Sequence, residues 1–196
     1  PMLQQRAPSS GVGAAAVFRS PAAGGLARLV ADHVVQGRVV FPGAGYLEMA
    51  RASRCAVEAS RAFEAAGVAL ARAYFLQPLV LSGRRDVWVE CGCDVGAGQV
   101  EVSSGEASER RELAEPTAHF AAALLGEDAV PAARQPELPV VRSDASSARG
   151  AVALYSAYLE AGLAYGPTHR TLRSVWSCPQ GDEALGRVCR RNASRA

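Results

Sequence analysis

The sequence predicts an α+β fold in which an antiparallel sheet curls around one long helix. Three observations carry that expectation. Beyond Gly45, residues 46–66 hold neither Gly nor Pro, alanine is abundant, and Arg54 and Glu58 stand at helical charge spacing, as do Glu58 and Arg61, before Gly67 closes the run. Downstream, residues 68–81, 86–91, 99–103 and 117–125 are short β-type runs separated by turns rich in Gly, Arg, Glu and Ser. The chain has 196 residues, 49% of them hydrophobic, which is enough for a substantial core.

Taken in order, residues 1–13 are rich in Gln, Ser, Pro and Gly and predict a flexible N-terminus. Residues 14–19, with Val17 and Phe18, predict a first strand, and 20–25 a turn. Residues 38–41 form a β-branched run stopped by Pro42 and Gly43, the pattern of a strand entering a turn. The helix over 44–66 carries Tyr46, Leu47, Ala50, Val57 and Phe63 broadly on one side and small residues elsewhere. The four β-type runs follow. Pro131, Pro136 and Pro139 then mark 126–147 as an extended linker and a domain boundary. Beyond it, 151–162 predicts a helix, and 172–176 and 184–189 predict strands. The predicted division is therefore 1–13, 14–125, 126–147 and 148–196.

Composition narrows the function classes. With 21 basic and 19 acidic residues the formal charge is +2, too balanced for a long-range field aimed at nucleic acid or membrane. The chain contains no lysine, and all 21 of its basic residues apart from histidine are arginine, which reads as coding bias rather than a selected guanidinium surface. Cys55, Cys91, Cys93, Cys178 and Cys189 include no CxxC pair, so neither a disulfide framework nor a metal site is expected. No run of about 18 apolar residues and no signal-peptide pattern occurs, which predicts a cytoplasmic location, or a plastid one given an upstream targeting segment.

Acid–base chemistry near neutral pH has three candidates, His33, His119 and His169. His33 opens a stretch in which Gly37, Pro42, Gly43, Gly45 and Tyr46 recur at suggestive intervals. By the residues alone it is open between a packed structural histidine and a catalytic one. The pattern HxxxGxxxxP, made by His33, Gly37 and Pro42 and followed by Gly-Ala-Gly-Tyr-Leu-Glu, resembles the signature of polyketide synthase dehydratase domains. Tyr158, Gly162, Tyr165, Gly166 and Pro167 resemble the YxxxGxxYGP motif that opens the second half of the same domain. The chain is thereby identified as similar to dehydratase domains of polyketide and fatty-acid synthases over most of residues 14–190.

The resemblance implies a hotdog fold, with a complete N-terminal hotdog and the beginning of a second. It also implies removal of water from a β-hydroxyacyl thioester, presented on the phosphopantetheine arm of an acyl carrier protein, to give an α,β-enoyl thioester. No cofactor is implied; the implied partners are the carrier protein, other synthase domains and a second copy in a homodimer. His33 would be the base that takes the α proton. The backbone N–H of Gly43 would face the thioester oxygen, and Tyr165, Gly166 and Pro167 would shape the acyl tunnel. Gly37, Pro42, Gly45, Tyr158 and Gly162 would be structural members of the motifs. The family's second acid, an aspartate in a DxxxQ or DxxxH context, has no counterpart: after Trp176 the acids are Asp182 and Glu183, in neither context. A chain ending within the second hotdog, and weak or inactive alone, is the resulting expectation. His119 is expected to be structural, and His169 stands where the family usually carries an aromatic residue such as Phe. The alternative readings are a product-template cyclase of the same build and an inactive dehydratase-like scaffold.

Overall fold

The computed structural model describes residues 2–7, 15–58, 68–81, 86–107, 113–125, 148–177 and 184–189. The chain divides into two compact units, Pro1–Val30 with Val40–Pro131, and Ala31–Val39 with Ala132–Ala196. The short segment that holds His33 thus belongs to the second unit, although it lies far from it in sequence.

The first unit is an antiparallel sheet with a helix against it. Its strands are β1 (Gln5–Arg6), β2 (Ala16–Pro21), β5 (Leu70–Phe75), β6 (Val87–Asp94), β7 (Gln99–Ala107) and β8 (Leu113–Leu124), ordered β1-β2-β6-β7-β8-β5. Strict alternation explains how the sheet acquires an apolar face. On β6, Val87, Val89, Cys91 and Cys93 are buried while Trp88, Glu90, Gly92 and Asp94 are less so. Ala16, Phe18 and Ser20 of β2 and Val100, Val102 and Ser104 of β7 continue that face.

Against it lies α2 (Gly43–Glu58), which packs on β2, β6 and β7 and buries Tyr46, Met49, Ala50, Ser53 and Arg54. Small residues at Ala50 and Ser53 let the helix approach the sheet closely, and each large apolar side chain it buries contributes about 1.5–3 kcal/mol. The expected ion pair forms: Arg54 Nε lies 2.9 Å from Glu58, and a second guanidinium nitrogen donates to the Leu125 carbonyl at 3.0 Å. The predicted continuation of this helix through 59–66, with Arg61, lies outside the described residues, as does the predicted linker over 126–147.

Two local features differ from the sequence reading. Residues 20–25, predicted as a turn, end β2 and begin α1 (Gly24–Val30), whose Leu26 and Val30 are fully buried. Residues 5–6, within a stretch predicted to be flexible, pair with β2. The β strands also run longer than their hydrophobic runs, because bulges keep the pairing going. Where β8 crosses β7, the register steps from Val102–Phe120 to Ser103–Ala118, so His119 is an inserted residue and both His119 and Phe120 end up buried. His119 is satisfied there: Nε2 lies 2.7 Å from Ser104 Oγ and Nδ1 3.0 Å from the Gln77 carbonyl.

The second unit holds β3 (His33–Val35), β4 (Arg38–Val39), β9 (Ala148–Gly150), α3 (Ala151–Glu160), β10 (Leu163–Tyr165), β11 (Leu172–Ser177) and β12 (Ala184–Val188). It contains two antiparallel three-stranded sheets, β10-β3-β4 and β12-β11-β9. α3 packs on β9, β10 and β11. Its last turn closes with the Gly162 N–H donating to the Leu159 carbonyl at 2.9 Å.

Candidate functional site

His33 is placed by a hairpin and a strand pairing. β3 and β4 are joined by the two residues Gln36 and Gly37, with φ of 48° and 76°. Two successive positive φ values make the type I′ turn that matches strand twist, and they explain the glycine at 37. The other edge of β3 pairs with β10, with Tyr165 directly opposite His33. Directly opposed residues on paired strands share a face, so the rings meet: the His33 and Tyr165 centroids are 5.4 Å apart, edge to face. The Gln36 N–H donates to the Gly162 carbonyl at 2.7 Å and ties the hairpin turn to the end of α3.

Asp32 fastens the turn that follows β10. Its carbonyl accepts from the Gly166 N–H at 2.8 Å, and its Oδ2 accepts from the Thr168 N–H at 3.1 Å and the Thr168 hydroxyl at 2.7 Å. A side chain at 166 would collide with Asp32, since a Cβ there would stand 2.7 Å from both Cβ and Oδ1 of the aspartate. Gly166 is therefore required by close approach. The same turn delivers His169, whose ring centroid lies 5.8 Å from that of His33 and whose Nδ1 is 3.1 Å from Thr168 Oγ1. Behind them Tyr155, Tyr158 and Tyr165 form a cluster of edge-on rings with centroids 5.8–6.2 Å apart. Arg170 lays its guanidinium over Tyr155 and donates from Nε to the Tyr165 carbonyl at 2.7 Å.

Of the residues singled out from sequence, the second unit brings together His33, Gly37, Tyr158, Gly162, Tyr165 and Gly166, with the exposed Pro167 in the turn. Pro42, Gly43 and Gly45 belong to the first unit. There Gly43 is the first residue of α2, Gly45 donates to the Pro42 carbonyl at 2.8 Å, and a Cβ at Gly45 would meet the Phe41 ring at 2.6 Å. Asp32 and Thr168 were missed; the only signals were an acid next to His33 and a hydroxyl residue next to the Tyr-Gly-Pro triplet. A surface cavity lined by Arg72, Tyr74, Asp94 and Gln99 contains none of these residues. Among the described residues no three metal-ligating side chains converge, and no helix is long and apolar enough to cross a membrane.

Comparison with known proteins is consistent across the chain. A family model described as polyketide synthase dehydratase domain matches residues 1–105, and one described as polyketide synthase dehydratase N-terminal domain matches residues 131–196. Polyketide synthase ThaG of Burkholderia thailandensis is 31% identical over 169 residues, covering 81% of this chain and 3% of ThaG. A trans-AT polyketide synthase dehydratase domain from Brevibacillus brevis superposes with a TM-score of 0.75 at 22% identity, covering 97% of this chain and 64% of that one. The dehydratase domain from the CurK module of the curacin polyketide synthase superposes with a TM-score of 0.71 at 18% identity, covering 95% of this chain and 62% of that one. Its aspartate-to-asparagine and histidine-to-phenylalanine variants are each described as inactive. The fold of these structures is the hotdog fold, as the resemblance implied. The chain spans less than two thirds of these relatives.

Proposed function

The chain belongs to the polyketide synthase dehydratase family, and from that premise we propose that it removes water from a β-hydroxyacyl thioester, with His33 as the base. The observation that carries the reading is the pairing of β3 with β10, which sets the His33 ring against Tyr165 at 5.4 Å and so joins the two sequence motifs at one place. The inactive histidine variant of the CurK dehydratase supports a histidine-dependent elimination.

In the proposed step, a nitrogen of His33 takes the proton alpha to the thioester carbonyl, and the released electron pair forms the Cα=Cβ bond. The Cβ–O bond breaks, and the oxygen takes up a proton to leave as water. The charge that develops on the thioester oxygen needs a hydrogen-bond donor. Tyr165, Gly166 and Pro167 form the wall beside the acyl chain. The substrate arrives on the phosphopantetheine arm of an acyl carrier protein within a synthase, and the domain needs no further cofactor. The alternatives of a product-template cyclase and a scaffold draw no support from the family matches, which favour the dehydratase.

The test is His33→Ala in the whole chain, assayed on a β-hydroxyacyl pantetheine thioester. Elimination is expected to fall by about 10²-fold or more, with the circular dichroism spectrum unchanged. Retained turnover with an intact fold removes His33 from the mechanism.

A further inference from the structure

Resting on the dehydratase reading above, we propose that Asp32 is a positioning residue for the base: it clamps the end of the short ladder at which His33 sits, and so fixes His33 and the two rings against it. The need for a clamp follows from the ladder's length. β3 and β10 pair over three residues, and His33 opposite Tyr165 is the last pair. Strand ends open most readily where few hydrogen bonds and few buried contacts hold them, and His33 is only half-buried. A base at such an end loses its alignment easily, and a displacement of about 1 Å can cost about 10²-fold in rate.

Asp32 meets that need with its backbone and its side chain together. Its carbonyl accepts from the Gly166 N–H at 2.8 Å, which carries the pairing of the two segments one residue beyond the ladder. Its Oδ2 reaches two residues further, accepting from the Thr168 N–H at 3.1 Å and from the Thr168 hydroxyl at 2.7 Å. Two donors converge on one charged oxygen, and a charged acceptor makes each bond stronger than its neutral counterpart. The hydroxyl proton goes to the carboxylate, so Thr168 Oγ1 accepts from His169 Nδ1–H at 3.1 Å, and the clamp sets the His169 ring as well.

The clamped turn is stiff in itself. The Gly166 carbonyl accepts from the N–H groups of His169 at 3.0 Å and Arg170 at 3.2 Å, and the His169 carbonyl accepts from the Thr171 N–H at 3.0 Å. Tyr165 leads into this turn and His169 lies on it, and their ring centroids stand 5.4 and 5.8 Å from that of His33. Asp32 therefore holds the two rings against which the base rests, and it does so from the position next to the base in sequence. It acts through Thr168 and the turn, without contact with the reacting atoms.

An amide at position 32 separates the clamp from a bulk structural role, because one amide oxygen can accept both Thr168 donors whereas a methyl accepts neither. The whole chain and its Asp32→Ala, Asp32→Asn and Thr168→Val variants are assayed on the N-acetylcysteamine thioester of β-hydroxybutyrate, well below each denaturation midpoint. The His33 ring signals, assigned through His33→Ala, are followed by carbon–proton correlation NMR. Asp32→Ala is expected to lower kcat by about 10–10²-fold with KM changed by about twofold at most. Asp32→Asn is expected to stay within about threefold of the unaltered chain, and Thr168→Val, which loses only the hydroxyl, to fall by about 3–10-fold. The His33 signals, displaced by the flanking rings, are expected to move toward their unstructured positions in Asp32→Ala and to hold in Asp32→Asn. A folded Asp32→Ala chain with unchanged kcat, an equal loss in Asp32→Asn, or His33 signals that are alike in all variants overturns the clamp. Should Asp32→Ala fail to fold, Thr168→Val decides, and full kcat with unmoved His33 signals in that variant overturns the clamp. An unaltered chain that forms no enoyl product overturns the dehydratase reading, and the His33 signals then decide the clamp by themselves.

Discussion

A glycine with no space for a β-carbon holds the candidate site together. At Gly166 the Asp32 side chain occupies the volume a larger residue would need, and three hydrogen bonds from Gly166 and Thr168 end on that one aspartate. Gly166→Ala is therefore expected to push Asp32 out of the turn and to destabilise the chain by about 1–3 kcal/mol, the usual cost of forcing extra volume into a filled place. Urea denaturation measures that loss, and elimination is expected to fall with it because the turn also carries Tyr165 and His169. Position 166 was legible in sequence as part of a motif, but the reason for the glycine was not, since Asp32 is 134 positions away and nothing local links the two. His119 shows the opposite case. A histidine in a β-type run was expected to be structural, and it is buried and hydrogen-bonded, whereas the bulge that buries it beside Phe120 leaves no mark in the hydrophobic pattern.

At the scale of elements, α2 was the most legible part of the chain, because its charge spacing, its alanine content and its apolar side all point the same way. Its packing rests in part on Arg54, which is 8% exposed and serves both Glu58 and the Leu125 carbonyl. Arg54→Ala leaves a partly buried carboxylate and a backbone carbonyl without their donor and is expected to cost roughly 1–3 kcal/mol, measured as a lower denaturation midpoint with an unchanged slope. Short elements were poorly legible. α1 has seven residues and shows only Leu26, Leu29 and Val30 at helical spacing, and β10 has three residues inside a motif whose glycines and proline suggest a turn. The pairing of β3 with β10 was not legible either. That pairing is what places His33, so the site could be named from motifs but not built from them.

For the molecule as a whole, the core sets a limit on alkaline stability. Burial pushes the Cys91 thiol up from 9.0 to about 12, opposed by a hydrogen bond with Ser53. Burial likewise pushes the Tyr46 hydroxyl from 10.0 to about 12, opposed by the Leu79 backbone. Both groups hold their protons more tightly in the folded chain than in the unfolded one. The stability this represents is fully present below about pH 9 and is lost as pH rises from there toward 12. Equilibrium denaturation is expected to show a falling free energy over that window, and Tyr46→Phe with Cys91→Ala is expected to flatten it. An unchanged slope in the double variant would place the alkaline sensitivity elsewhere. The alternation that makes Val87, Val89, Cys91 and Cys93 one face was readable from the sequence, and so was the α+β class. The assignment of residues 31–39 to the second unit was not, because it depends on a pairing across more than a hundred residues.

The central proposal is that His33 is the base of the dehydration proposed for this chain. The most direct measurement is mass spectrometry of an acyl carrier protein loaded with a β-hydroxyacyl group and incubated with the chain or with its His33→Ala variant. The account predicts that the carrier-bound acyl group loses the mass of one water with the unaltered chain and keeps it with the variant. A mass that never changes, or one that changes equally with both, would contradict it.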